Sequence, residues 1–382
     1  MKVCIIHGNK NDREKCIQNI DKYDVVLTTY GTLRNDEESY EKLNFDYCIL
    51  DEGQNIKNPL AQGTKSVKSI NAKSKFVLTG TPIENNLIEL WSIFDFIMPN
   101  YLYNAAIFKK KFISNNEATI ELQKYIRPFM LRRLKKDVIR ELPDKIEKNY
   151  YVELTKEQKK VYATYVADIK AKMEEENFEG NKITIFSYLT KLRQLCLDPD
   201  IIIDGYTGGS GKITEALNLI EENIENGHKI LLFSQFTSVL GRLSNKLSKN
   251  KIEYLYLDGS TKASKRLELV EEFNTSDKYK IFLISLKAGG TGLNLTSADV
   301  IIHFDPWWNP AVQDQATDRA HRIGQKNVVQ VIKLISEGTI EERIINLQEN
   351  KKKLISDVLD SDYKNENMLS ALSKEELRDL FS

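Results

Sequence analysis

Short, almost unbroken apolar runs recur along this chain, each closing on small or polar residues, and they limit what it can fold into. Val3–His7, Asp24–Tyr30, Tyr47–Asp51 and Lys75–Thr79 fall in the first hundred residues. Lys229–Phe233, Tyr254–Leu257, Tyr279–Ser285, Asp299–Asp305 and Val328–Ile335 follow residue 205. A strand with one wet face alternates apolar and polar residues, whereas one that is apolar throughout needs cover on both faces. Helical spacing separates most of these runs, so the pattern predicts an α/β chain of parallel sheets sandwiched by helices. In such sheets the loops at the carboxyl ends of the strands carry the chemistry.

The richest stretch runs from Ile281 to Gln325. Its first apolar run breaks into Lys287-Ala288-Gly289-Gly290-Thr291-Gly292, and its second into Pro306-Trp307-Trp308-Asn309-Pro310. Asn309 suits a helix N-cap and Pro310 the first helical position, which predicts a helix over Ala311–Arg322. On that helix Gln315, Arg319 and Arg322 would share one face. Two neighbouring guanidiniums repel unless something anionic lies between them, and a polyphosphate matches their planar forks. Taken alone, the pair more readily reads as solvating a surface helix.

Context favours the phosphate. Ser285-Leu-Lys-Ala-Gly-Gly-Thr-Gly-Leu-Asn-Leu and Gln315-Ala-Thr-Asp-Arg319-Ala-His-Arg322-Ile-Gly-Gln325 resemble motifs V and VI of Swi/Snf-type remodelling ATPases, a branch of the superfamily-two helicase-like motors. The resemblance implies two RecA-like lobes, with Arg319 and Arg322 as arginine fingers toward ATP held by the first lobe. It also places Gln315 and Gly290 near the nucleotide. Phe233-Ser234-Gln235-Phe236 is similar to motif IV. Ser234, Gln235, Lys287, Ala288, Gly289 and Thr291 thereby become candidates for contact with a DNA backbone, because small residues and free amides let phosphates approach. Trp308 reads either as a core aromatic or as a residue set against the DNA groove.

The earlier runs carry the partner motifs. Asp51-Glu52-Gly53-Gln54 follows an apolar run directly and looks like the Walker-B motif. By that resemblance Asp51 holds Mg2+, through water, Glu52 orients or deprotonates the attacking water, and Gln54 lies near the nucleotide. Leu78-Thr-Gly-Thr-Pro-Ile-Glu-Asn-Asn-Leu-Ile-Glu-Leu-Trp91 is similar to motif III. The run ending in Thr28-Thr29-Tyr30 resembles the motif Ib strand, whose loop touches DNA.

Between the two sets of runs glycine nearly vanishes, and Lys, Glu and long apolar residues recur at helical spacing. The expected division is therefore a partial first lobe over 1–100, helical protrusions and linker over 101–204, a second lobe over 205–340, and a brace helix with polar tail over 341–382. Gly205-Tyr-Thr-Gly-Gly-Ser-Gly211 reads as a flexible linker by composition. Gly211-Lys212 is not a P-loop: Tyr206 stands where its first glycine belongs and Ile213 where its magnesium-binding hydroxyl belongs.

With no other P-loop before Val3, the sequence predicts a fragment of a motor, its first lobe incomplete and the chain inactive alone. Alternatives are a non-catalytic DNA- or protein-binding fragment, or one half of a split motor. The resemblance implies ATP and Mg2+ as cofactors and double-stranded DNA as track. The load would be a DNA-bound protein such as RNA polymerase or a repair factor, and the motor a monomer. Lys+Arg and Asp+Glu both number 55, so net charge argues neither way, local patches deciding phosphate contact. Cys4, Cys16, Cys48 and Cys196 lack C-x-x-C spacing, and no run is long enough to span a membrane, so the expectation is a cytoplasmic protein with free thiols.

Overall fold

A computed structural model describes residues 1–80, 87–114, 118–133, 135–139, 141–174, 182–289 and 292–346. They fall into two compact units, one over Met1–Leu131 and the other beginning at Arg132.

In the first unit, β1 (Val3–Ile5) pairs in parallel with β2 (Val25–Leu27), and β3 (Asn44–Leu50) with β4 (Asn71–Val77). These are two separate two-stranded ladders among the described residues. One side of them packs onto a core that includes Cys4, Ile6, Leu50, Ile56, Val67 and Phe96. The other side stays open: Val3, Ile5, Leu27, Tyr47, Ile49, Phe76 and Leu78 are each about half exposed or more. Helix Leu87–Ile97 buries Leu90, Trp91 and Phe94 against Leu102, Phe108, Phe112 and Leu122. Residues 101–131 lie within the first compact unit.

The second unit is built on six parallel strands in the order β5-β10-β9-β6-β8-β7. They are β5 (Lys145–Val152), β6 (Ile230–Ser234), β7 (Tyr254–Leu257), β8 (Ile281–Ser285), β9 (Val300–His303) and β10 (Val329–Ser336). Every residue of β6, β8 and β9 is buried. Alternate side chains point to opposite faces. Ile230, Leu232, Leu283 and Ile302 meet a core shared with helices Gly211–Glu225 and Thr237–Lys249. Leu231, Phe233, Phe282 and Ile301 meet a second core with helix Ala263–Thr275 and Ala316. This double cover is what the unbroken apolar runs demanded.

Two expectations need correction here. Lys145–Val152 is a strand inside the 101–204 stretch expected to hold helical protrusions and a linker; it pairs with β10 along its whole length. Its polar residues survive because it is an edge strand, with Glu147 bridging Lys145 and Lys333. Residues 205–211 are a packed turn rather than a loose linker. Gly205 and Gly209 take φ of +75° and +70°, and a Cβ on Gly211 would lie 2.1 Å from the Glu153 carbonyl. Ser210 is buried and caps the next helix, accepting from the Ile213 amide at 3.1 Å and donating to the Leu197 carbonyl at 2.5 Å. Lys212 is fully buried and ion-paired with Glu341, a structural role that fits its failure as a P-loop lysine.

The chain passes from β6 toward β7 on one side and from β9 toward β10 on the other. The strand order therefore reverses between β6 and β9, which opens a crevice at their carboxyl ends.

Candidate nucleotide and DNA sites

In the first unit, β3 delivers Asp51 and Glu52 just past its buried Leu50. The turn is sharp. Glu52 takes the left-handed conformation, φ 51° and ψ 54°, which costs a residue with a Cβ about 1–3 kcal/mol. Gly53 follows, and a Cβ there would come within 2.1 Å of Val77 Cγ1. Its amide donates to the Leu78 carbonyl at 2.9 Å, which ties the turn to the end of β4.

Side chains complete that tie. Gln54 Nε2 donates to Glu52 Oε2 at 2.7 Å, while Gln54 Oε1 accepts from the Thr79 hydroxyl at 2.9 Å. Gln54 thus connects the Glu52 carboxylate to the start of the motif III-like stretch. The Tyr30 hydroxyl donates to the Asp51 carbonyl at 2.7 Å, and its pKa is pushed up to about 12 by burial and then by the Asp51 carboxylate. Thr29 caps its helix by accepting from Thr32 N at 3.1 Å and remains exposed, whereas Thr28 only approaches the Ile6 carbonyl at 3.4 Å. Of Thr28, Thr29 and Tyr30, Tyr30 is therefore bound inward, to the Asp51 carbonyl.

Asp51 is exposed, with one carboxylate oxygen accepting from the Glu52 amide. Among the described residues no three His, Cys, Asp or Glu side chains gather in a cage for a metal. That donor set fits magnesium, which keeps its waters and is commonly held by one or two carboxylates plus substrate phosphates.

In the second unit the predicted residues separate by exposure. Lys287 is exposed, while Ala288 and Gly289 are buried, and a Cβ on Gly289 would lie 2.7 Å from the Phe233 ring. Gly290 and Thr291 lie outside the described residues, as do Thr81 and Pro82 of motif III. Ser234 is buried, donating to Asp305 Oδ1 at 2.5 Å. Gln235 offers its backbone amide to the same oxygen at 3.2 Å. Trp308 is half-buried against the core of helices Lys156–Glu174 and Lys182–Leu197.

Asn309 and Pro310 start a helix as expected, Asn309 Oδ1 accepting from the Ala311 amide at 3.2 Å. That helix ends at Thr317, not at Arg322, so Gln315, Arg319 and Arg322 do not share one regular helical face. Tertiary bonds replace its last turn. The Arg319 carbonyl accepts from the Leu295 amide at 2.9 Å, and Lys135 donates to the His321 carbonyl at 3.1 Å and pairs with Asp318 at 2.5 Å. His321 Nε2 sits 2.8 Å from the Pro143 carbonyl. Arg319 is half-buried and Arg322 exposed. Sequence reasoning missed Lys135, Asp305 and Arg193, whose partners lie far away along the chain, and Gln313, which bonds within its own turn.

Comparison with known proteins decides the family. A model of the SNF2-related domain matches residues 1–201, and one of the helicase conserved C-terminal domain matches 211–324. The chain belongs to the SNF2-related, Swi/Snf-type ATPase family. It is 40% identical over 384 residues to an uncharacterized ATP-dependent helicase of Mycoplasma genitalium, a match covering 100% of this chain and 37% of that protein. It is 34% identical over 446 residues to the TATA-binding protein-associated factor MOT1 of Saccharomyces cerevisiae, covering 100% of this chain and 24% of that protein. The chain therefore spans less than half the length of these relatives. Among solved structures, the Sulfolobus solfataricus SWI2/SNF2 ATPase core in complex with dsDNA matches at 37% identity and a TM-score of 0.52. That match covers 100% of this chain and 81% of the other.

These matches give the SNF2-family chain its α/β RecA-like fold, with parallel sheets and helical insertions. They also overturn the expectation of an inactive fragment truncated before the Walker-A motif. The SNF2-related model matches residues 1–201, and the archaeal ATPase core aligns with 100% of this chain over 81% of its own length. The readings as a non-catalytic fragment or half of a split motor fall with it.

Proposed function

We propose that the protein hydrolyses ATP to translocate along double-stranded DNA, displacing or remodelling a DNA-bound protein. Family membership supports the class of activity; the observation that carries the site is the chain of hydrogen bonds from Glu52 through Gln54 to Thr79. An arrangement of this kind lets motif III register the state of the carboxylate that handles water.

Each residue then has a role. Asp51, exposed at the end of β3, holds magnesium through water; Glu52 orients the attacking water, and Gln54 fixes the Glu52 carboxylate. Magnesium, when bound with ATP, offsets charge on the phosphate oxygens. Arg319 and Arg322 supply cationic forks to the transferred phosphoryl group, with Gln315 nearby. Lys287 and Thr29, both exposed, contact the DNA backbone. Ser234 acts indirectly through Asp305, given its burial.

RNA polymerase or a repair factor are loads of the expected kind, and the motor works as a monomer in the cytoplasm. The four cysteines are free. Among the described residues no helix is long and apolar enough to cross a membrane.

The test is ATP hydrolysis by the purified full-length protein with and without duplex DNA. Duplex should stimulate turnover, and Glu52→Gln should lower kcat by about 100-fold or more with little change in KM. Hydrolysis indifferent to DNA, or unaffected by Glu52→Gln, would refute the proposal.

A further inference from the structure

In doubly wound sheets the crevice where strand order reverses is the usual ligand site. Here the chain fills the one between β6 and β9 with its own arginine. Arg193 arrives from helix Lys182–Leu197 and is 3% exposed. Its Nη2 donates to the Pro306 carbonyl at 2.6 Å and to Asp305 Oδ2 at 3.2 Å. The guanidinium carbon lies 5.3, 5.6 and 5.7 Å from the rings of Phe236, Trp307 and Trp308. Asp305 in turn holds Ser234 and the Gln235 amide, so one ion pair fastens the loops after both strands.

The turn it fastens leads straight into the helix before Arg319. Gln313 on that helix accepts from the Trp307 amide at 3.2 Å and donates to the Asp305 carbonyl at 3.4 Å. Burying a guanidinium and a carboxylate is costly, and a hydrophobic filler often packs as stably. Arrangements like this one are useful where orientation matters, because the guanidinium fork and the three ring faces fix the turn in one place.

We propose that Arg193 is a positioning residue that plugs the switch-point crevice and holds the 305–309 turn, and through it the helix leading to Arg319, in one geometry. The consequence for hydrolysis rests on the function proposed above; the positioning itself does not. A misplacement of about 1 Å in a group that stabilises only the transition state lowers kcat and leaves KM nearly unchanged.

The experiment separates positioning from mere stability. In the full-length protein with Trp91→Phe, emission from this chain's tryptophans comes from Trp307 and Trp308, two of its three. Arg193→Met alone strands a buried carboxylate and should lower Tm by roughly 10 °C. Adding Asp305→Asn removes the stranded charge, keeps an acceptor for Ser234, and should recover most of that loss. We expect the double variant to keep red-shifted, readily quenched tryptophan emission despite its recovered Tm. Its DNA-stimulated kcat should stay at least about tenfold low, with KM for ATP within about twofold. Arg193→Lys, which keeps charge without the fork, should fall between. Emission and kcat that return together with Tm would overturn the proposal. Should the unsubstituted protein hydrolyse no ATP on DNA, the proposed function fails, while tryptophan emission still decides the role of Arg193.

Discussion

The two units use the same sequence device to opposite effect. In the second, β6, β8 and β9 are buried on both faces. In the first, apolar runs interrupted by more polar residues form two-stranded ladders with Tyr47 66% and Ile49 61% exposed. Apolar composition therefore states what a strand needs; neighbouring strands and helices decide whether the need is met. Two-stranded pairing is marginal by itself, so the first unit depends more on its helical side.

The largest expected effect tests that contrast directly. Leu283→Ala, in a fully buried strand, should cost about 3–4 kcal/mol in urea unfolding, whereas Ile49→Ala should cost under about 0.5 kcal/mol. Equal losses would show that the open face of the first unit is covered in solution. Hydrogen exchange sharpens the comparison: amides of β1 to β4 should exchange well before those of β6, β8 and β9. Similar protection in both sheets would erase the difference.

A smaller effect comes from the edge strand β5. Burial opposes ionisation of Glu147, but hydrogen bonds from Lys145 and Lys333 prevail and hold its pKa at about 2, below the ordinary 4.5. A depressed carboxylate stabilises the fold above its unfolded value, and that contribution fades as pH falls from 4.5 toward 2. Glu147→Gln should thus cost about 1–2 kcal/mol at neutral pH and almost nothing near pH 2, as seen in Tm against pH. A pH-independent cost would remove the electrostatic explanation.

Last comes the difference between two helix caps. Ser210→Ala in the second unit should cost about 1–2 kcal/mol, because its hydroxyl also satisfies the Leu197 carbonyl; exposed Thr29→Ala in the first should cost about 0.5 kcal/mol. The reverse order in thermal unfolding would contradict the burial argument.

Much of this was legible in the sequence because strand runs and their small-residue endings are local. The α/β class, the strands after residue 205, and the placement of Asp51 and Glu52 at a strand end could all be read there. Distant partners could not. Nothing near Arg193 or Lys212 in sequence announces Asp305 or Glu341, and β5 was obscured by polar residues that only an edge position tolerates. The helix carrying Gln315 was over-extended because its last turn is undone by bonds to Leu295, Lys135 and Pro143. The expectation of an inactive fragment rests on one motif alone, and the two family matches, over 1–201 and 211–324, stand against it.

The most direct test of the proposed function, in which Arg319 serves ATP hydrolysis, is kcat for DNA-stimulated hydrolysis by full-length Arg319→Ala. A fall of about 1,000-fold relative to the unsubstituted protein, with nucleotide still bound, is the predicted result. A kcat within about twofold of the unsubstituted value would contradict it, since a group stabilising the transition state cannot be removed without slowing the reaction.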